Sequence, residues 1–155
     1  MTEVLADTFA AAQAPEIEWD GEPVYAIYEI NPAPEGVVVE FLSGTDVPVQ
    51  GLTLKASGGV LVVNDVEAPE MLLWRDTAPT RVSVKVKREA GKRAALKLWN
   101  IWRGSTGGVD VTQAWLGNAG MRIAGAVDEK ELLLRCSNGE GPIDFADMVV
   151  RVVIA

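Results

Sequence analysis

Short runs in which apolar and polar residues alternate dominate the chain after Pro15, and Gly, Pro, Asn and Asp separate them. Alternation with a period of two is typical of a strand with one buried face, and the separating residues favour turns. The predicted strands are Val24–Ile30, Val37–Leu42, Gly51–Lys55, Val60–Val63, Met71–Trp74, Arg81–Lys87, Ala94–Trp102, Val109–Trp115, Met121–Ala124, Glu131–Cys136 and Met148–Ile154.

This spacing of strands, with no amphipathic helix between them, predicts an all-β fold. The expected architecture is an antiparallel β-sandwich, jelly-roll-like in topology. The N-terminus differs, because Thr2 precedes an Ala-rich run in which Leu5 and Phe9 share one helical face. Residues 1–14 are therefore predicted to form a short helix or a flexible tail, and residues 15–155 a single β-sandwich domain.

The segment from Arg81 to Trp102 is predicted to be a hairpin. Val82, Val84 and Val86 alternate with polar residues on one strand, and Leu96 and Leu98 occupy the core-facing positions of the other. A turn at residues 90–93 then places Lys85 opposite Lys97, a like-charge pair that needs an anion nearby. The acidic residues of the N-terminal segment are the candidates, namely Glu16, Glu18, Asp20 and Glu22.

Three of the five tryptophans lie between residues 99 and 121, among amides and glycines. Trp99 alternates away from the core-facing leucines, so it is predicted to face outward as part of an aromatic-polar surface. The candidate contact residues are Trp99, Asn100, Arg103, Gln113, Trp115 and Asn118. The first hypothesis is a non-catalytic recognition or assembly module that binds a protein, including a second copy of itself. The alternatives are a glycan reader similar to carbohydrate-binding modules, and plain packing of Trp99 under another layer.

The loop from Ser137 to Asp147 is rich in oxygen-bearing side chains, which are the ligands that Ca²⁺ prefers. The candidate metal ligands are Asn138, Glu140, Asp144 and Asp147. Their spacing is not that of an EF-hand, and a solvated turn is the alternative. Calcium is the one cofactor that the sequence suggests.

The chain has no histidine and one cysteine. Ser-His-Asp and Cys-His catalysis, His-ligated metals and thiolate zinc sites are therefore excluded. Cys136 lies in an apolar strand and is predicted to be a buried, inert thiol. Carboxylates remain the acid and base candidates for a small hydrolase, the third hypothesis, although no spacing pairs two of them. They are Glu40, Asp65, Glu70, Asp76, Asp110 and Asp144.

Charge is distributed unevenly along the chain. Residues 1–50 carry ten acidic and no basic residues, residues 51–103 have a net charge of +5, and the whole chain carries −8. This balance disfavours nucleic acids and anionic membranes as partners. Without a secretory pattern or an apolar run of membrane-spanning length, the expected location is the cytoplasm.

Overall fold

The computed structural model describes residues 4–106 and 109–155, with the backbone alone at residues 105–106 and 109–110. Its first elements are α1 (Leu5–Ala12), β1 (Glu16–Trp19), β2 (Glu22–Tyr25), β3 (Tyr28–Ile30), β4 (Gly36–Gly44), β5 (Gln50–Ser57), β6 (Gly59–Val63), β7 (Val66–Ala68) and β8 (Glu70–Trp74). They are followed by β9 (Arg81–Arg88), β10 (Ala95–Thr106), β11 (Val109–Gln113), β12 (Gly120–Ala126), a 3-10 turn (Val127–Glu129), β13 (Glu131–Ser137) and β14 (Met148–Ile154).

Two antiparallel sheets form the sandwich. In the described part of the chain, the larger sheet has nine strands in the order β1-β2-β12-β13-β14-β4-β9-β6-β7. The smaller sheet has five, in the order β11-β10-β5-β8, with β3 also paired to β10. The predicted all-β, antiparallel β-sandwich with a short N-terminal helix is confirmed.

The core lies between the two sheets and contains the residues that the alternation assigned to it. Val82 and Val84 from β9 are almost fully buried, as are Leu96 and Leu98 from β10. Burial of each such aliphatic side chain contributes about 1.5–3 kcal/mol to folding.

The predicted hairpin between β9 and β10 is wrong. β9 pairs with β4 and β6 in the larger sheet, whereas β10 pairs with β5 in the smaller one. Alternation identifies a buried face but does not say whether two such faces lie side by side or oppose each other across the core.

Lys97 does face another lysine across a ladder, but this residue is Lys55 of β5 and not Lys85. The neutralising anions also differ from those predicted. Glu29 of β3 lies on the other side of Lys97, with 3.8 Å between the Lys97 Nζ and the Glu29 carboxylate. Glu70 of β8 lies opposite Lys55. One row across the smaller sheet therefore holds two adjacent lysines with a glutamate on either side, and of these glutamates Glu29 is the one within ion-pair distance of its lysine.

The predicted strand Val24–Ile30 divides into β2 and β3, which belong to different sheets. The alternation did not predict β1 or β7, because each has only three or four residues. β7 follows a two-residue turn at Asn64 and Asp65, both with positive φ, which is the geometry of a tight hairpin.

Helix α1 packs its one buried face on the sandwich. Leu5 is fully buried against Ile17 and Val24, and Phe9 packs beside it as its spacing predicts. The Leu5 N–H donates to the Asn118 side-chain oxygen at 3.2 Å, so a residue distant in sequence caps the helix. Thr2, the predicted cap, lies outside the described residues. Neither α1 nor any other described helix has the length and apolar character needed to cross a membrane.

Candidate functional site

Trp99 lies on the outer face of the smaller sheet, as its alternation predicts, but it is only 7% exposed. The Trp115 ring packs against it with 5.2 Å between ring centroids and a tilt of 41°. The expectation that Trp99 would be the exposed indole is wrong, and the alternative, packing of Trp99 under another layer, is confirmed, because the segment after β11 folds back over this face. Trp115, which is 47% exposed, presents the ring to solvent instead.

Trp115 is held in a fixed orientation. Its indole N–H donates to the Ala26 backbone oxygen at 3.1 Å, which ties the segment after β11 to the chain between β2 and β3. Its φ of 60° lies in the left-handed region, which a bulky side chain rarely adopts. Such a conformation costs about 1–3 kcal/mol and is concentrated at functional sites in proteins.

The same face continues across β5 and β8. Thr53 lies between Trp99 and Leu72 in the strand register, and Gly51 lies between Ile101 and Trp74. Gly51 matters here because a side chain at this position would collide with the Leu73 backbone oxygen and press on the Trp74 ring. The absence of a side chain lets the indole lie close over the sheet.

Arg103 completes this surface. Its guanidinium carbon lies 4.3 Å from the centre of the Trp74 ring, and its Nη1 is 3.3 Å from an Asp76 carboxylate oxygen. A stacked guanidinium in an ion pair loses much of its side-chain freedom. We call the surface formed by Leu72, Trp74, Trp99, Arg103 and Trp115 the outer aromatic face.

The three predicted amide residues do not belong to this face. Asn100 is 3% exposed and donates across the core to the Ser137 backbone oxygen at 2.9 Å. Gln113 accepts the Trp102 indole N–H at 3.1 Å, and Asn118 caps α1. Of the six predicted contact residues, the structure therefore brings together Trp99, Arg103 and Trp115.

Sequence reasoning missed Leu72 and Trp74 as members of the face. They lie in the run Met71-Leu72-Leu73-Trp74, which is apolar at every position, so alternation could not separate its two faces.

The predicted calcium loop is built around hydrogen bonds to its own backbone. Asp147 Oδ2 accepts the Asn138 N–H at 3.1 Å, and Asn138 Oδ1 accepts the Glu140 N–H at 2.9 Å. Asp144 Oδ1 accepts the Ala146 N–H at 2.9 Å. These side chains close turns as Asx motifs do.

The loop joins a buried polar network centred on Gln50, which is 2% exposed. The Gln50 side-chain N–H₂ donates to the Asp147 backbone oxygen at 2.6 Å and to the Thr45 hydroxyl at 2.9 Å. Its oxygen accepts from the Asn138 amide at 3.4 Å. Gln50 thus fastens the loop to the start of β5. Over the described ranges 4–106 and 109–155, no group of three or more acidic or cysteine side chains is arranged for a metal ion.

The pKa of the Asp147 carboxyl is raised in the folded protein. Burial raises its pKa above the ordinary value of 3.8, the hydrogen bond from the Asn138 N–H lowers it, and the Asp144 charge raises it again. A raised pKa means that the folded protein binds this proton more tightly than the unfolded chain does. The contribution of Asp147 to stability is therefore greatest below pH 3.8 and declines as the pH rises through the folded-state pKa.

Asp147→Asn is expected to gain stability relative to the wild type as the pH rises. The asparagine cannot ionise and keeps an oxygen for the Asn138 N–H. Urea unfolding at about pH 3 and about pH 7 measures this difference. Asp144→Asn is the companion variant, and it should bring the Asp147 pKa back toward its ordinary value. A difference between Asp147→Asn and the wild type that does not change with pH would contradict the assignment.

Two of the carboxylates proposed as acid and base candidates form ion pairs with arginines. The Glu40 carboxylate lies between Arg81 at 3.2 Å and Arg151 at 3.1 Å, and Asp76 is paired with Arg103. The Asp110 side chain lies outside the described residues. Cys136 is fully buried, as predicted, and burial raises the pKa of its thiol well above the ordinary range.

Comparisons with family models, with curated proteins and with solved structures found no match to this chain.

Proposed function

We propose that this chain is a non-catalytic recognition module that binds a partner protein through the outer aromatic face. The observation that carries the proposal is the half-exposed Trp115 ring, which rests on the buried Trp99 ring and is anchored to Ala26. A rigid indole on a packed base is the kind of residue that dominates binding energy at protein interfaces, since little freedom is lost on binding.

Exposed apolar side chains near Trp115 enlarge the proposed binding surface. Leu116, which follows Trp115 in the chain, is 53% exposed. Leu72, which lies across Thr53 from Trp99, is 41% exposed. Apolar side chains grouped beside an aromatic ring mark interaction sites more often than single exposed leucines do. Apolar side chains of a partner protein would cover this area.

The hydrogen-bonding groups favour a protein over a glycan. A sugar ring stacked on Trp115 needs amides nearby to bind its hydroxyls. Asn100, Gln113 and Asn118, the amides that the sequence offered for this role, are hydrogen-bonded to the protein itself. The glycan reader is therefore the competing outcome of the test.

Site-specific photo-crosslinking in cells of the source organism tests this proposal. A benzophenone side chain at Leu116 lies beside Trp115, and one at Leu42, which is 40% exposed on the larger sheet, is the matched control. We expect an adduct with a defined protein, or with a second copy of the chain, from position 116 and not from position 42.

Trp115→Ser should then weaken binding of the identified protein by about 30-fold or more, as the loss of an interface hot spot does. The melting temperature serves as the control for folding. Identical adducts from both positions, or a glycan-array signal that disappears in Trp115→Ser, would contradict the proposal.

A further inference from the structure

One side of the sandwich is open beside β8, because the larger sheet extends past the smaller one. Leu61 is fully buried, so Val63, two residues later in the same strand, also points to the inner face of the larger sheet. Val66 of β7 lies directly opposite Val63 and shares that face. Val66 is nevertheless 62% exposed. The smaller sheet ends at β8 and does not cover this part of the inner face.

The backbone of β8 offers hydrogen-bonding groups on this open side. Two backbone hydrogen bonds join β8 to β5 at its ends. The Arg75 N–H donates to the Gln50 backbone oxygen, and the Ala56 N–H donates to the Pro69 backbone oxygen. In an antiparallel pair such bonded positions recur at every second residue, so Met71 and Leu73 also bond to β5. The N–H groups of Glu70, Leu72 and Trp74, and the C=O groups of Glu70 and Leu72, therefore point away from β5. In the described part of the chain, β8 is an edge strand.

A groove of about 470 Å³ runs along this edge. Val63 and Val82 from the larger sheet and Leu73 from the smaller sheet line it with apolar surface. Leu72 and Trp74 of β8 and the segment from Thr77 to Pro79 also line it. The groove thus combines a free strand edge with an apolar lining, which is the arrangement that binds an extended peptide by strand addition.

The charges near the groove indicate what such a peptide would carry. Asp65 lies at the β6–β7 turn next to the groove, and Glu70 lies at the start of β8. Both are exposed, and neither forms an ion pair within the ranges that the structure describes. Arg81, the charged residue in the groove lining, is paired with Glu40 at 3.2 Å. The two carboxylates therefore remain for a ligand, and basic residues suit the two ends of the bound segment.

We propose that β8 binds an extended protein segment as an additional strand of the smaller sheet. The segment has apolar residues at every second position, which rest on Val63, Val82 and Leu73, and Lys or Arg on either side. The inference rests on the proposed function in that the ligand is a protein. The strand edge shares Leu72 and Trp74 with the outer aromatic face, but the added strand bonds to the β8 backbone and does not need Trp115.

The probe is a fluorescein-labelled peptide, Lys-Lys-Val-Thr-Val-Thr-Val-Thr-Lys-Lys, together with a pool in which Ile, Leu and Phe replace the valines. We expect the fluorescence anisotropy of the labelled peptide to rise to saturation as the intact chain is added. Two further peptides carry backbone N-methyl groups, one on the valines and one on the threonines. Because alternate residues of a strand direct their N–H groups to opposite sides, only one of these two peptides should bind at least tenfold more weakly.

Leu72→Pro removes an N–H that β5 does not use, so the existing ladder keeps its hydrogen bonds. Leu72→Lys adds an edge lysine and serves as a second variant in case the proline alters folding. Both should weaken peptide binding at least tenfold, whereas Leu42→Lys, at an equally exposed leucine of the larger sheet, should not. Leu72 also belongs to the outer aromatic face, so Trp115→Ser decides between the two sites: it alters that face but not the β8 edge and should leave peptide binding unchanged.

The absence of saturable binding to the peptide or the pool would overturn the proposal. Equal loss from both N-methylated peptides, or undiminished binding by both Leu72 variants, would overturn it as well. A wild-type dimer that Leu72→Pro converts to a monomer in light scattering would assign this edge to a second copy, and would also refute the peptide site.

Discussion

Replacing Trp102 by alanine is expected to lower the free energy of unfolding by about 4 kcal/mol, because it removes the largest fully buried side chain and leaves a cavity. Trp102 is 1% exposed, and its indole N–H donates to Gln113 at 3.1 Å. Its ring lies so close to Gly139 that a side chain there would overlap it. Urea unfolding followed by circular dichroism measures the loss.

Trp115→Ala is the matched comparison, since it removes the same ring from a site where 47% of the residue is exposed. We expect it to cost about 1 kcal/mol, since less apolar surface is withdrawn from water there. Equal losses at the two positions would contradict the assignment of Trp102 to the interior and of Trp115 to the surface.

Replacing Gln50 by alanine is expected to lower the free energy of unfolding by about 3 kcal/mol. The substitution removes the hydrogen bonds that Gln50 makes to the Thr45 hydroxyl, to the Asp147 backbone oxygen and to the Asn138 amide. The Asp147 oxygen keeps the Thr45 N–H at 2.8 Å, and Thr45 is exposed, so the Asn138 amide is the group left buried without a partner. That costs about 1–3 kcal/mol, and each of the other lost hydrogen bonds about 0.5–1.5 kcal/mol. Denaturant unfolding gives the total.

Gln50→Met separates the lost hydrogen bonds from the lost volume. Methionine fills a similar space but can neither donate to the two oxygen partners nor accept the Asn138 amide as the glutamine oxygen does. It should therefore be nearly as destabilising as Gln50→Ala. A Gln50→Met variant with wild-type stability would show that Gln50 acts by packing alone, and the network would not be what holds the loop.

The buried faces of individual strands were predictable because they depend on local alternation. Val82 and Val84, and likewise Leu96 and Leu98, are buried as predicted. Their arrangement was not predictable, because the pattern is the same whether two strands pair within a sheet or face each other across the core. The tertiary structure placed them in opposite sheets.

The candidate site was predictable only in part, for a related reason. The strand position of Trp99 gave its outward direction correctly, but its exposure depended on Trp115, which the chain brings back over the face. Asn100, Gln113 and Asn118 looked like ligand contacts by residue type. An amide binds whichever group the fold places next to it, and here those groups belong to the core, to Trp102 and to α1.

By itself, the sequence determined the class of fold, the burial of most strands and the exclusion of histidine and thiolate chemistry, because these follow from residue type and local period. The tertiary structure alone decided which indole is exposed, which oxygens of the 138–147 loop are occupied and where a strand edge is open. Each of these depends on contacts between residues far apart in the chain, such as Gln50 with Asp147 or Trp115 with Ala26.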